Sequence, residues 1–184
     1  MMRAAEQQIH VAAVGDSITA GSPWDDDPSV GWPAAAAVAD PRLRFAVRAV
    51  YGKRTDEIAI WLGEATVDAD VLVVQGGIND IAQGRPLVQA AANLADMIAR
   101  GRELGLEVVV ADVLPWNNGW PAAEPQIREL NRMIVELGAP VLPFHDTLED
   151  PERPGRMRDE WTVEGDHPSV EGYRRLGEIA FRLP

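Results

Sequence analysis

The sequence contains no cysteine. Disulfide staples, thiolate nucleophiles, iron–sulfur clusters and cysteine-built zinc sites are therefore excluded together. Histidine is nearly as scarce: only His10, His145 and His167 occur in 184 residues, which speaks against a histidine-rich metal centre. Positive charge is in deficit, with 17 Lys and Arg against 29 Asp and Glu and a net charge of −12. Such a chain offers no basic face to a nucleic-acid backbone, and anionic membrane surfaces repel it. Long hydrophobic runs are missing too. Stretches such as Val71–Val74 and Val108–Val110 are too short to cross a bilayer, so no stable membrane insertion is expected. The opening MMRAAEQQ lacks the apolar stretch of a signal peptide, and the expected location is cytoplasmic unless an export signal has been removed.

What the sequence does have is the balance of an ordinary globular protein, 46% hydrophobic and 25% charged residues. The length suits one domain over residues 1–184, with no composition break and no internal repeat. Short β-branched runs alternate with amphipathic stretches. Strands are expected at Ile9–Val14, Leu43–Val50, Val71–Val74, Leu106–Val113 and, weakly, Pro140–Leu142. Helices are expected at Trp32–Ala39, Thr55–Leu62 (with Thr55 as cap), Leu87–Leu104, Ile127–Leu137 and Ser169–Phe181. Ser22–Val30 and Glu149–Asp159 read as surface loops. The alternation implies an α/β fold, a parallel sheet buried on both faces with right-handed crossovers. Ligands of such sheets sit beyond the carboxyl ends of the strands, so residues just after each strand carry the information.

After the first strand stands Gly15-Asp16-Ser17-Ile18-Thr19. A serine at this turn either points into the crevice or simply caps the next helix. It is not the G-x-S-x-G elbow, because Thr19 stands where the second glycine belongs. After the third strand stands Gly77-Ile78-Asn79-Asp80, whose amide can donate to an oxyanion or make an ordinary Asx turn. Ahead of the last helix stands Glu164-Gly165-Asp166-His167-Pro168, where a carboxylate three residues before a histidine can fold back onto its ring. An isolated histidine at a helix start is more often a surface residue. Gly52-Lys53-Arg54-Thr55 is not a P-loop, and no dinucleotide fingerprint follows a strand.

Taken together and in this order, these motifs resemble the SGNH hydrolases, the GDSL-type esterases and lipases. The resemblance rests on GDSIT at Gly15–Thr19, Gly52 in AVYGKRT, GIND at Gly77–Asp80 and EGDHP at Glu164–Pro168, and spans Ile9 to Arg182. It departs from the family pattern at Glu164, where aspartate is usual, and at Val47, where many members carry asparagine. The resemblance implies a three-layer α/β/α sandwich around a five-stranded parallel sheet, the flavodoxin-like SGNH hydrolase fold. It also implies a catalytic set of Ser17 as nucleophile, His167 as base and Glu164 as its carboxylate partner, ranked ahead of the adjacent Asp166. The backbone N–H groups of Ser17 and Gly52 and the Asn79 amide would form the oxyanion hole, Gly52 permitting close backbone approach.

No metal or organic cofactor is implied, and the expected partner is a small-molecule ester. Trp116 and Trp120, in the loop LPWNNGW after the fourth strand, are expected to shape a substrate pocket, with Trp24 and Trp32 as further candidates at its border. His145 and His10 read as structural. The expected activity is hydrolysis of short-chain acyl or acetyl esters through an acyl-serine intermediate. Alternatives are a carbohydrate acetylesterase, a thioesterase or lysophospholipase of the same superfamily, or a catalytically silent binding module on the same fold. The sequence leaves the oligomeric state open, a homo-oligomer included.

Overall fold

A computed structural model describes residues 7–22 and 30–183. Five strands form one parallel sheet: β1 (Ile9–Gly15), β2 (Leu43–Ala49), β3 (Val71–Val74), β4 (Glu107–Ala111) and β5 (Val141–Leu142). Their order is β2-β1-β3-β4-β5, with Ile9 opposite Leu43, Val11 opposite Val71 and Val71 opposite Glu107. All carboxyl ends therefore lie on one edge. The continuous apolar reading of β1, β3 and β4 follows from burial on both faces.

Helices cover both faces, as the three-layer expectation requires. In chain order they are α1 (Ser17–Ala20), α2 (Trp32–Ala39), α3 (Thr55–Ile58), α4 (Leu62–Ala65), α5 (Ile78–Ala82), α6 (Leu87–Glu103), α7 (Ala123–Glu136), α8 (Phe144–Leu148) and α9 (Val170–Arg175). On one face Val11, Ala13 and Val73 pack with Trp32, Phe144, Tyr173 and Phe181. On the other, Ala12, Val14 and Val74 meet Ile58, Leu94, Met97, Leu130 and Ile134. Burying a side chain of this kind contributes roughly 1.5–3 kcal/mol relative to exposure. No helix among the described residues is long and apolar enough to cross a membrane.

Local departures from the sequence pattern have physical causes. The expected helix at Thr55–Leu62 breaks into α3, a 3₁₀ turn at Ala59–Trp61, and α4. Its N-cap is Arg54; Thr55 is inside the helix, and both its N–H (2.9 Å) and hydroxyl (2.8 Å) are drawn to buried Asp80. The last helix passes into a π turn at Leu176–Ala180, closed by Phe181 N–H to Leu176 O at 2.9 Å. Helix α7 starts four residues before the expected Ile127, with Pro125 tolerated in its first turn. Glu149–Asp159, expected to be loop, holds an antiparallel ribbon of β6 (Glu149–Asp150) and β7 (Arg153–Met157). Most of the other loop expectation, Ser22–Val30, and with it Trp24, lies outside the described residues.

Candidate active site

At the carboxyl edge, β1 runs into Gly15 and Asp16. Gly15 has no room for a side chain, since a Cβ there would meet Gln75 Oε1 at 2.5 Å and Thr19 Oγ1 at 2.6 Å. Asp16 caps α1, its Oδ1 accepting from Ile18 N at 3.0 Å, and this sets Ser17 at the helix start. Burial pushes the Asp16 carboxyl up to about 6, against the opposing pull of that Ile18 hydrogen bond. Two further contacts fix the turn: Asp16 N–H donates to Gln75 Oε1 (3.2 Å), and Thr19 Oγ1 donates to the same oxygen (2.8 Å).

His167 comes from the loop before α9. Its Nε2 lies 3.0 Å from Ser17 Oγ, and its Nδ1 is in contact with Glu164 Oε1. The loop is folded by its own backbone. Val163 N–H donates to His167 O at 3.1 Å, Thr162 Oγ1 donates to the same carbonyl at 2.8 Å, and Gly165 N–H donates to Thr162 Oγ1 at 2.9 Å. Glu164 and His167 thereby face each other across a tight turn. Asp166 points elsewhere: its Oδ1 accepts from Trp116 Nε1 at 2.6 Å.

Asn79 stands in the first turn of α5, beside this pair. Its Nδ2 donates to Lys53 O at 3.1 Å and to Asp16 Oδ2 at 3.3 Å. Gly52 lies in the loop after β2 with φ of +74°, and a Cβ there would meet no heavy atom within 4 Å. Glycine suits this left-handed backbone, and no protein atom crowds the position. Tyr51 beside it donates to Gly21 O at 2.7 Å, and its ring centre lies 6.3 Å from that of His167.

A cavity of about 150 Å³ opens at the junction. Ser17, Asn79 and His167 meet it on one side, and its apolar walls include Ile18, Ile78, Val113, Leu114 and Trp116. Three hydrogen bonds clasp the Trp116 loop to the His167 loop: Trp116 Nε1 to Asp166, Asn117 N to Gly165 O at 2.9 Å, and Asn118 Nδ2 to Glu164 O at 2.6 Å. Trp120, expected in the pocket, is outside its wall. The turn Trp116–Gly119 (N···O 3.1 Å) carries it away toward α7, where it packs edge-on against Trp116 with ring centres 5.3 Å apart. Trp32, a further candidate for the pocket border, is wholly buried among Phe45, Phe144 and Phe181, because its ring fills the core beneath α1.

The other two histidines take no part. His145 is buried, its backbone N–H donating to Asp112 Oδ1 at 2.7 Å, and His10 lies exposed at the start of β1. Burial raises the Asp112 carboxyl to about 7. His145, Asp146 and Glu149 form the one group among the described residues that could gather a cation. Glu149 Oε1 there already accepts from Arg128 Nη2 at 2.6 Å and Gly155 N–H at 2.5 Å, so a guanidinium takes one of its two oxygens.

The family model for the GDSL-like lipase/acylhydrolase family matches residues 13–175, nearly the whole chain. The chain belongs to that family. Its members hydrolyse ester substrates, and this GDSL-like protein is an enzyme of that kind. No curated protein matches it. Among solved structures, its fold is similar to a G-D-S-L family protein from Desulfitobacterium hafniense, with a TM-score of 0.81 and 20% identity over 93% of this chain and 97% of that one. A member of the lipolytic G-D-S-L family from Veillonella parvula superposes with a TM-score of 0.78 at 20% identity, covering 92% of this chain and 94% of its own. A lipase from a goat rumen metagenome gives 0.76 at 19% identity, covering 93% and 95%. At these identities the likeness speaks for the SGNH fold, three layers around a parallel sheet.

Sequence reasoning missed the polar residues under the site. Gln75 lies just past the expected strand Val71–Val74 and belongs to no motif, and Asp16 reads as part of the GDSIT motif. The signal in both cases was a polar residue immediately after a buried strand.

Proposed function

We propose that the protein is a serine esterase acting on small-molecule esters with short acyl groups, through an acyl-Ser17 intermediate. The observation that carries this reading is the continuous contact Ser17 Oγ, His167 Nε2, His167 Nδ1, Glu164 Oε1 at the mouth of a small cavity. In the reaction, Ser17 Oγ attacks the ester carbonyl carbon while its proton passes to His167 Nε2. Glu164 holds the ring and stabilises the imidazolium. The carbonyl oxygen, now an anion, takes the N–H groups of Ser17 and Gly52 and one hydrogen of Asn79. The long 3.3 Å contact of Asn79 with Asp16 is the one exchanged for it, while Lys53 O keeps the amide in place. The C–O bond to the alcohol then breaks, and His167 returns the proton to the leaving oxygen. A water activated by His167 repeats the sequence, releasing the acid and restoring Ser17.

Acyl length follows from volume. A space near 150 Å³ is about that of a benzene-binding cavity, roughly five times water's share of its liquid. It suits acyl groups of a few carbons, with longer chains extending into solvent. The test is hydrolysis of p-nitrophenyl acetate, butanoate and octanoate by the wild type and Ser17→Ala. The expected result is preference for the shorter esters and a loss of at least about 10⁴-fold in the variant. Equal rates for both proteins would refute Ser17 as the nucleophile, and no reaction of the wild type with esters or serine-directed phosphonates would refute the reading and favour a binding module.

A further inference from the structure

Gln75, the first residue past β3, is only 4% exposed and yet lines the cavity. The orientation of its amide is determined. Asp16 N–H can only donate, so the Gln75 atom facing it at 3.2 Å is the amide oxygen. The indole N–H of Trp32 also can only donate, and it gives its hydrogen to Thr19 Oγ1 at 3.3 Å. Thr19 is then free to pass its own proton to Gln75 Oε1, 2.8 Å away. With the oxygen held from two directions, Nε2 is the end left over. It has two hydrogens to give and no acceptor among the described residues.

The surroundings say what such a donor meets. Ile18, Ile78, Val113 and Leu114 bring no acceptor in their side chains. The cavity is lined by no Lys or Arg, and two of its residues, Asp112 and Asp166, are acidic. An anionic substituent would find no lysine or arginine to pair with, whereas a neutral oxygen would find the Gln75 amide. Polar donors in confined apolar sites discriminate strongly, because the wrong substrate leaves them unpaired.

We propose that Gln75 is a specificity-determining residue, its Nε2 donating to a neutral oxygen on the part of the ester that fills the cavity. The preferred substrates are then short esters with an ether, oxo or hydroxyl oxygen a few bonds from the scissile carbonyl, ahead of their alkyl counterparts. This rests on the ester-hydrolase reading above and extends it to substrate class.

Isosteric pairs test it, with rates followed by pH-stat and corrected for hydroxide-catalysed hydrolysis. The pairs are ethyl methoxyacetate with ethyl butanoate, ethyl 3-methoxypropanoate with ethyl pentanoate, and 2-methoxyethyl acetate with butyl acetate. They place one ether oxygen at three positions on the acyl and alcohol sides. The wild type is expected to favour the ether in at least one pair by about three- to tenfold in kcat/KM, the effect of one net hydrogen bond. Gln75→Glu keeps an acceptor for Asp16 and Thr19 but offers the cavity an oxygen, and should bring that ratio to one or below. A residue that merely supports the fold would depress both members of a pair equally. If Gln75→Glu fails to fold, Gln75→Met reads the same ratio without the donor. Absence of any ether preference in the wild type, or a ratio unchanged in the variant, overturns the proposal while leaving the esterase reading intact. A wild type that hydrolyses none of these esters or the p-nitrophenyl series overturns both.

Discussion

Two carboxylates flank His167, and exchanging each for its amide separates their roles. Glu164→Gln keeps the shape and an oxygen able to accept from Nδ1–H, so the ring stays oriented and only the charge is lost. That charge matters when Ser17 gives up its proton and the ring becomes imidazolium. Opposite charges about 4 Å apart attract by roughly 4 kcal/mol at an effective dielectric near 20. The pair is not fully enclosed: the side chains are 21% and 29% exposed for His167 and Glu164. Solvent at this level of exposure reduces the attraction to about 2–4 kcal/mol. At 1.36 kcal/mol per tenfold, the expected loss in kcat is roughly 30- to 1,000-fold. Asp166→Asn should behave differently. Among the described residues its oxygen accepts only the Trp116 indole N–H, and an asparagine oxygen can do the same. Its kcat should stay within about threefold of wild type. Initial rates with p-nitrophenyl acetate, on variants shown folded by circular dichroism, provide the comparison. If Asp166→Asn proved the more damaging, or Glu164→Gln cost less than threefold, the assignment of Glu164 as the partner of His167 would be wrong.

Asn79→Ala removes one proposed oxyanion donor and should lower kcat by about 10²- to 10³-fold with a smaller change in KM, read from steady-state kinetics; an effect confined to KM would contradict the role. Asp16 makes a prediction about stability. Its carboxyl keeps its proton up to about 6 in the folded chain against an ordinary 3.8, so ionisation subtracts stability as pH rises through that window, by up to about 3 kcal/mol. Asp16→Asn removes that loss: in urea titrations it should gain on the wild type between pH 4 and pH 7.5, and a constant difference across this range would refute the account.

The strand and helix pattern was readable because each buried element repeats a simple period. Val71–Val74 and Trp32–Ala39 are found with the expected bounds, and β1 differs by one residue. Elements whose stability comes from partners far along the chain were not readable. Arg153–Met157, with its proline and glycine, forms a strand because Glu149 and Asp150 pair with it. Residues 55–65 break into short turns, and Thr55 at their start is held by Asp80, twenty-five positions away. The site divides in the same way. Ser17, Glu164, Asn79 and His167 stand in short motifs with a recognisable order. Gln75 and Trp120 depend on directions that only packing sets: the first turns out to line the cavity, and the second is carried out of it by a tight turn.

The clasp between residues 116–118 and 164–166 ties two properties that enzymes often vary separately. One partner in it walls the cavity proposed to take the substrate, and the other carries the proposed base and its carboxylate. A change in the aromatic loop that admits a new substrate therefore also moves the imidazole. Variation in this loop should be epistatic with residues 162–168, and a broadened pocket should arise through paired changes in the two segments. Selection on what the enzyme accepts is, in this chain, also selection on how well it transfers a proton.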